Sequence, residues 1–252
     1  MTLKDNDFDI SQWADDAYVK KYVESVDIII PDRRVFLDIL STFFATNFSK
    51  GVRVLDLGSG DGFFIERLLN IDDSIDAVLV DASPEMLRKA GDRLSAFENI
   101  SFVESTFEGL LDDALPQELE GGFDLIISSL AIHHIALDRR GELFASIHSL
   151  LKDGGRFINF DISMSISDGL EDFYIKLWEE RVIRLSKASG IEVDYKSFMA
   201  KHSDRDHHDK LSTLDGQLST LRDASFKEVD VYYKHGLFAV YGGLRKGGSC
   251  GG

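Results

Sequence analysis

Between residues 51 and 162 the chain alternates short apolar runs with longer stretches of helical periodicity. The runs are Val52–Leu57, Ala77–Val80, Ile100–Val103, Phe123–Ser129 and Arg156–Ile162, mostly apolar throughout rather than every second residue. Strands buried on both faces of a parallel sheet read this way. The spacing predicts helices between them, over Phe63–Asn70, Pro84–Ala96, Glu108–Leu119 and Asp138–Leu151. The second opens on Ser83-Pro84-Glu85, a capping hydroxyl, a proline at the first helical position and an acid near the positive helix end. Such alternation means βαβ units and a doubly wound, mostly parallel α/β sheet.

The flanks carry helical periodicity near Trp13–Val26, Asp32–Phe48, Ser167–Ser189 and Ser212–Ala224. In the third of these, Leu170, Phe173, Tyr174, Leu177, Trp178 and Arg181 share one face, which suits either a lid over a site or plain core. Two last strands, Glu228–Tyr233 and Leu237–Tyr241, are joined by Lys234-His235-Gly236, a link too short for anything but an antiparallel hairpin. The three prolines fall at 31, 84 and 116, and no Pro/Gly/Ser-rich linker divides the chain. One domain over 1–246 follows. Its parts are an N-terminal helical cap (1–48), a core (51–162), a lid-like insertion (163–205) and a final helix with hairpin (212–246). Six of the 21 glycines lie in 242–252, so 247–252 is expected to be a disordered tail.

Composition narrows the partners. The 252 residues hold 44 acidic and 28 basic side chains, a formal charge of −16. That excess disfavours a nucleic-acid backbone and an anionic membrane surface, both of which attract Lys and Arg. With 44% apolar residues and 18 Phe, a large packed core is available. The single cysteine, Cys250, can form neither an internal disulfide nor a multi-cysteine metal site. The acidic first ten residues lack the apolar stretch of a signal peptide, and no apolar run approaches the ~18 residues of a membrane span. A cytoplasmic location is expected. His202, His207 and His208, interleaved with Asp204, Asp206 and Asp209, match no compact zinc spacing; a solvated loop is the expectation, and no metal.

The strongest local signal is Val54-Leu-Asp-Leu-Gly-Ser-Gly-Asp-Gly62, a buried strand running into three alternate glycines and then a helix. Glycines there let the backbone turn sharply and approach a ligand closely. A dinucleotide fingerprint would need a glycine where Phe63 stands, and a pyrophosphate would be repelled by Asp56 and Asp61. A cationic ligand bearing hydroxyls would not. Asp81 ends the next strand 19 residues after Gly62, where a carboxylate can accept hydrogen bonds from both hydroxyls of a ribose.

Val54–Gly62, Asp81 and Phe123-Asp-Leu-Ile-Ile-Ser-Ser-Leu-Ala-Ile-His-His134 resemble class I S-adenosylmethionine-dependent methyltransferases. Leu150-Leu-Lys-Asp-Gly-Gly-Arg-Phe-Ile-Asn-Phe-Asp161 is similar to the turn before that family's fifth strand. The resemblance covers about residues 35–245 and implies a seven-stranded sheet with S-adenosyl-L-methionine as cofactor. It implies that Gly58, Ser59 and Gly60 pass under the methionine part, with Asp56 and Asp61 nearby, and that Asp81 holds the ribose. Ala82, Met86 and Ser129 complete the implied set. The family's adenine-binding acid is replaced by Thr106, so adenine recognition falls to Thr106, to the Phe107 backbone, or to neither.

A sulfonium is already an activated methyl donor, so alignment is the largest catalytic contribution and a general base helps a hydroxyl or amine acceptor. His133, His134 and Asp161 follow strands four and five at the edge where such sheets bind ligands. One of the two histidines is a candidate base, against the favoured reading that one packs on the cofactor and the other caps the loop. Asp161 is a second candidate, equally readable as a helix-capping or loop-ordering residue. The reading is methyl transfer to a small-molecule acceptor, with a homodimer left open. Similarity extends to carboxy-S-adenosylmethionine synthases of tRNA wobble-uridine modification, whose chemistry needs a prephenate carboxylate anchored by an arginine that the motifs do not single out. A non-catalytic S-adenosylmethionine-binding protein and an NAD-dependent oxidoreductase are the remaining alternatives.

Overall fold

The computed structural model describes residues 15–193 and 211–247. Seven strands form one sheet: β1 (Arg53–Leu57), β2 (Asp76–Asp81), β3 (Ile100–Glu104), β4 (Phe123–Ser129), β5 (Leu151–Ile162), β6 (Lys227–His235) and β7 (Phe238–Leu244). Their order is β3-β2-β1-β4-β5-β7-β6. The first five pair in parallel, and β7 runs antiparallel between β5 and β6. The expected fold, hairpin included, is what forms.

Both faces of the sheet are covered, because adjacent residues of each central strand point to opposite sides. Val54, Leu79, Ile127, Ile158 and Phe160 join one buried cluster, while Leu55, Leu57, Val78, Val80, Ile126 and Phe157 join the other. On the first side lie helices α1 (Asp16–Ile29), α2 (Arg33–Asn47), α3 (Phe63–Leu69), α4 (Pro84–Arg93) and α7 (Asp168–Ser189). On the second lie α5 (Phe107–Asp112), α6 (Arg140–Leu150) and α8 (Leu214–Asp223).

Some boundaries differ from expectation. The helix expected over 108–119 is only the short α5: Asp113 is extended, and Pro116 leads a separate turn of 3-10 helix at Gln117–Leu119. β5 begins five residues early, at Leu151, with a register irregularity opposite Phe123–Leu125. The last hairpin turns on Gly236 and Leu237, since β6 runs on through His235.

α7 packs by only part of the face expected to be lid or core, since Leu170, Phe173 and Leu177 stay exposed. Its Trp178 is buried, donates Nε1–H to the Ile29 carbonyl at 2.6 Å and meets Phe238 edge-on. Arg181 donates to the Ile28 carbonyl at 3.2 Å. Both bonds hold the C-terminal end of α1, so α7 buttresses the N-terminal helix from outside. Between α1 and α2, Asp32 takes a left-handed backbone, and its carboxylate accepts from Tyr233 Oη at 2.9 Å and pairs with His235 Nδ1. From that anchored corner α1 reaches to α4. The cluster at 202–209 and the 248–252 tail lie outside the described residues. Among the described residues, no helix is long and apolar enough to cross a membrane, and no cluster of three metal-ligating side chains occurs.

Candidate functional site

The C-terminal ends of β1, β2, β3 and β4 open into one cavity. Gly58, Ser59, Gly60, Asp61, Asp81, Ala82, Met86, Thr106, Phe107 and Ser129 all line it. The turn after β1 needs its glycines. Gly58 has φ +71°, and a Cβ there would fall 2.2 Å from the Ala131 side chain. Gly60 has φ +54° and faces open space, so any side chain would project where a ligand can lie.

Asp81 fixes this turn to the neighbouring strand. One carboxylate oxygen accepts the Gly60 N–H at 2.8 Å and the other the Ser83 N–H at 2.9 Å. Burial raises its pKa despite those backbone bonds. Asp56 is 1% exposed behind the turn, and neither of its carboxylate oxygens has a hydrogen-bond partner among the described residues. Burial first, then the charges of Asp81 and Asp61, push its pKa well above the ordinary range. The buried Ser59 hydroxyl is likewise unpartnered. Orphaned buried acceptors carry a large desolvation penalty. They suit a ligand that brings positive charge and hydroxyl donors.

Asp61 has a second occupation. Arg93 donates to its carboxylate at 2.5 Å and to its carbonyl at 2.9 Å, while also pairing with Glu66 at 2.8 Å. Much of the Asp61 charge is therefore neutralised from α4. Thr106 caps α5 by accepting the Gly109 N–H at 3.0 Å, and Glu104 stays exposed on the outer strand.

The three candidate bases separate. His134 lines the cavity; His133 and Asp161 do not. Asp161, 1% exposed, accepts the His133 N–H at 3.1 Å and meets His133 Nδ1 at 2.5 Å. It also accepts the Ile162 N–H at 2.9 Å. These bonds hold the turn on which His134 sits, with the two imidazole centroids 4.1 Å apart.

Residues 55–157 match the family model of a methyltransferase domain. The carboxy-S-adenosyl-L-methionine synthase of Nautilia profundicola is 24% identical over 208 residues, spanning 81% of this chain and 80% of that protein. The ubiquinone/menaquinone biosynthesis C-methyltransferase UbiE of Haemophilus ducreyi is 27% identical over 205 residues, 78% of this chain and 73% of its own. These matches support a class I S-adenosylmethionine-dependent methyltransferase. An O-methyltransferase family protein from Burkholderia thailandensis shares the fold with a TM-score of 0.64 at 16% identity, over 96% of this chain and 64% of that one. The structure titled "PigF with SAH" does so with a TM-score of 0.62 at 18% identity, over 96% and 63%. The methyltransferase thus spans just under two thirds of each of those two structures.

Sequence reasoning did not single out the residues that the N-terminal helices give to the methyltransferase's cavity. Tyr22, Val23 and Val26 of α1, Arg33 of α2, and Phe63 and Phe64 of α3 line it as well. Helical periodicity marks these positions as inward-facing without saying which inward surface they meet. The one local hint was Phe63 itself, in the place of a fingerprint glycine: its ring lies under the Arg33 guanidinium, 3.7 Å from centroid to Cζ.

Proposed function

We propose that the enzyme methylates a small-molecule acceptor inside this cavity, with the cofactor laid along the Gly58–Gly60 turn. The observation that carries the reading is the Asp81–Gly60 bond at 2.8 Å, which sets a carboxylate with lone pairs to spare at the cavity edge beside an open glycine. In this reading Asp81 accepts the ribose hydroxyls. Asp56 lends its charge through the turn to the ammonium of the methionine part, and Ser59 offers a hydroxyl. Thr106, Phe107, Ala82 and Met86 border the adenine, and Ser129 stands opposite. Bound there, S-adenosylmethionine supplies an activated methyl group on a sulfonium.

What the chain contributes is position, dryness and a proton acceptor. α1 closes the cavity with Tyr22, Val23 and Val26, which favours an acceptor small enough to fit beneath a helix. It also excludes water, which strengthens each charge inside. His134 is the residue placed to take a proton from an acceptor hydroxyl or amine on an imidazole nitrogen. His133 and Asp161 act beneath it as positioning residues.

A second reading is synthesis of a carboxylated sulfonium, as the name of the Nautilia relative describes. It is favoured by that match running over 81% of the chain. Calorimetry with S-adenosylmethionine, S-adenosylhomocysteine and NAD tests the shared premise. Binding of the two adenosyl compounds and not NAD is expected; failure of both to bind would sink it. A tritiated methyl donor, offered hydroxylated and aminated aromatic and aliphatic acceptors, then separates methyl transfer from the second reading.

A further inference from the structure

The cavity has two chemically different ends. Asp81, Thr106 and Glu108 mark one; Tyr22, Val23, Val26, Phe63 and Phe64 make the other apolar. Arg33 sits at that apolar end and is the cavity's one Lys or Arg among the described residues. In a chain of net charge −16, a cation turned into an apolar recess calls for a reason.

Its surroundings leave it half satisfied. The side chain is 11% exposed, and Nη1 pairs with Asp27 Oδ1 at 2.8 Å. Nε and Nη2 make no hydrogen bond to a described residue. The cavity carboxylate of the glycine turn, Asp61, is already taken by Arg93. The Phe63 ring lies 3.7 Å from the guanidinium carbon and the Phe64 ring 5.4 Å. Stacking on an aromatic face removes hydration from one side of the fork and fixes its plane. A planar guanidinium with one donor engaged and others open is complementary to a carboxylate, which it binds with charge-assisted hydrogen bonds.

We infer that Arg33, braced by Phe63 and Asp27, makes the α1 end of the cavity a carboxylate-binding subsite. The inference rests on the cofactor lying in this cavity. The carboxylate comes from one of two sources, the amino-acid end of the cofactor or the acceptor. Asp27 holds one donor of the fork and competes with the ligand for the same charge, so it moderates the subsite's affinity.

The test uses the full chain with Arg33→Met, which keeps an unbranched stem over Phe63 and removes the fork, and Arg33→Lys, which keeps the charge. Thermal melting checks that each variant folds. Calorimetry compares S-adenosylhomocysteine with decarboxylated S-adenosylmethionine, which lacks the carboxylate. Ligand-observed NMR, with S-adenosylhomocysteine saturating, compares benzoate and phenylacetate with benzyl alcohol.

If the cofactor is the source, Arg33→Met weakens S-adenosylhomocysteine about ten- to hundredfold and leaves the decarboxylated compound unchanged. If the acceptor is the source, cofactor affinity is unchanged, and wild type binds the two carboxylates while Arg33→Met does not. In either case Arg33→Lys falls between, and Asp27→Asn, which leaves Arg33 in place, tightens the carboxylate several-fold. Arg33→Met that binds S-adenosylhomocysteine as wild type does, in a protein whose wild type takes neither aromatic carboxylate, overturns the inference. So does equal loss of both adenosyl compounds, which marks Arg33 as a structural residue. A wild type that binds neither adenosyl compound instead removes the functional reading and this subsite with it.

Discussion

The Asp81 carboxylate accepts the Gly60 backbone N–H at 2.8 Å and so clamps the glycine turn of β1 to the end of β2. The same group is the proposed ribose acceptor, and two effects of its loss can be separated. Asp81→Ala is expected to weaken S-adenosylhomocysteine by roughly 1.5–3 kcal/mol and to lower the melting temperature, since the Gly60 and Ser83 N–H groups lose their acceptor. Asp81→Asn keeps one carbonyl oxygen and should recover stability more fully than affinity. Calorimetry and thermal melting on the two variants check this; an affinity unchanged in Asp81→Ala would show that the ribose lies elsewhere.

Asp56 sets a pH dependence. Its folded-state pKa lies above the ordinary 3.8 because it is buried without a partner near Asp81 and Asp61. Below pH 3.8 the carboxyl is protonated folded or unfolded and has no effect. As pH rises through the ordinary range the unfolded chain ionises first, so stability of the unliganded protein is lost until pH passes the raised folded value. Asp81, also raised, adds a loss of the same sign. Asp56→Asn should therefore be more stable than wild type at neutral pH, with the difference vanishing near pH 3, and should bind S-adenosylmethionine more weakly. Denaturant melts across pH 3–8 give the first result and calorimetry the second; a variant less stable at pH 7 would contradict it.

Asp161 holds the His133 N–H, His133 Nδ1 and the Ile162 N–H from a fully buried position. Asp161→Ala leaves those groups buried without an acceptor, at about 1–3 kcal/mol apiece in the unrelaxed limit. A loss on the order of 3 kcal/mol in urea denaturation is expected, with cofactor affinity reduced far less than by Asp81→Ala. His134→Gln should do the opposite, costing less stability than Asp161→Ala while lowering turnover of any hydroxyl acceptor by roughly 10²–10⁴-fold.

Trp178 is the buttress of the cavity roof. Trp178→Phe keeps most of the packing against Phe238 but leaves the Ile29 carbonyl without its 2.6 Å donor. A destabilisation of about 1–3 kcal/mol is expected. Faster amide exchange should be confined to α1 and the 30–32 corner, which hydrogen-exchange mass spectrometry reads peptide by peptide.

The sheet was legible because its central parallel strands are apolar on both faces, as in the run Phe123–Ser129. The glycine turn, Asp81 and the Ser83 cap were legible for a similar local reason: their spacing encodes a turn and a helix start. α5 was over-extended because its stop is made by Asp113 and Pro116, not by a break in apolar spacing. Arg33 and Tyr22 were invisible as cavity residues because only tertiary packing of α1 and α2 brings them to the glycine turn. Asp161 and His133 looked like His134 in sequence. What separates them is the 2.5 Å contact they make with each other beneath the cavity floor.

A Cβ at Gly58 would come within 2.2 Å of the Ala131 side chain, so the turn after β1 and the turn after β4 are already in van der Waals register with nothing between them. Neither can shift alone without collision or a void. The floor of the site therefore behaves as one rigid plate, and any adjustment to a ligand falls to the wall above it, where Tyr22, Val23 and Val26 stand. What stands above is α1, held by the core packing of Val26, Ile28 and Ile29 and by the bonds that Trp178 and Arg181 donate to its last turn. Association rates, more than affinities, should then respond to changes in α1, while changes in the plate should show up as occupancy.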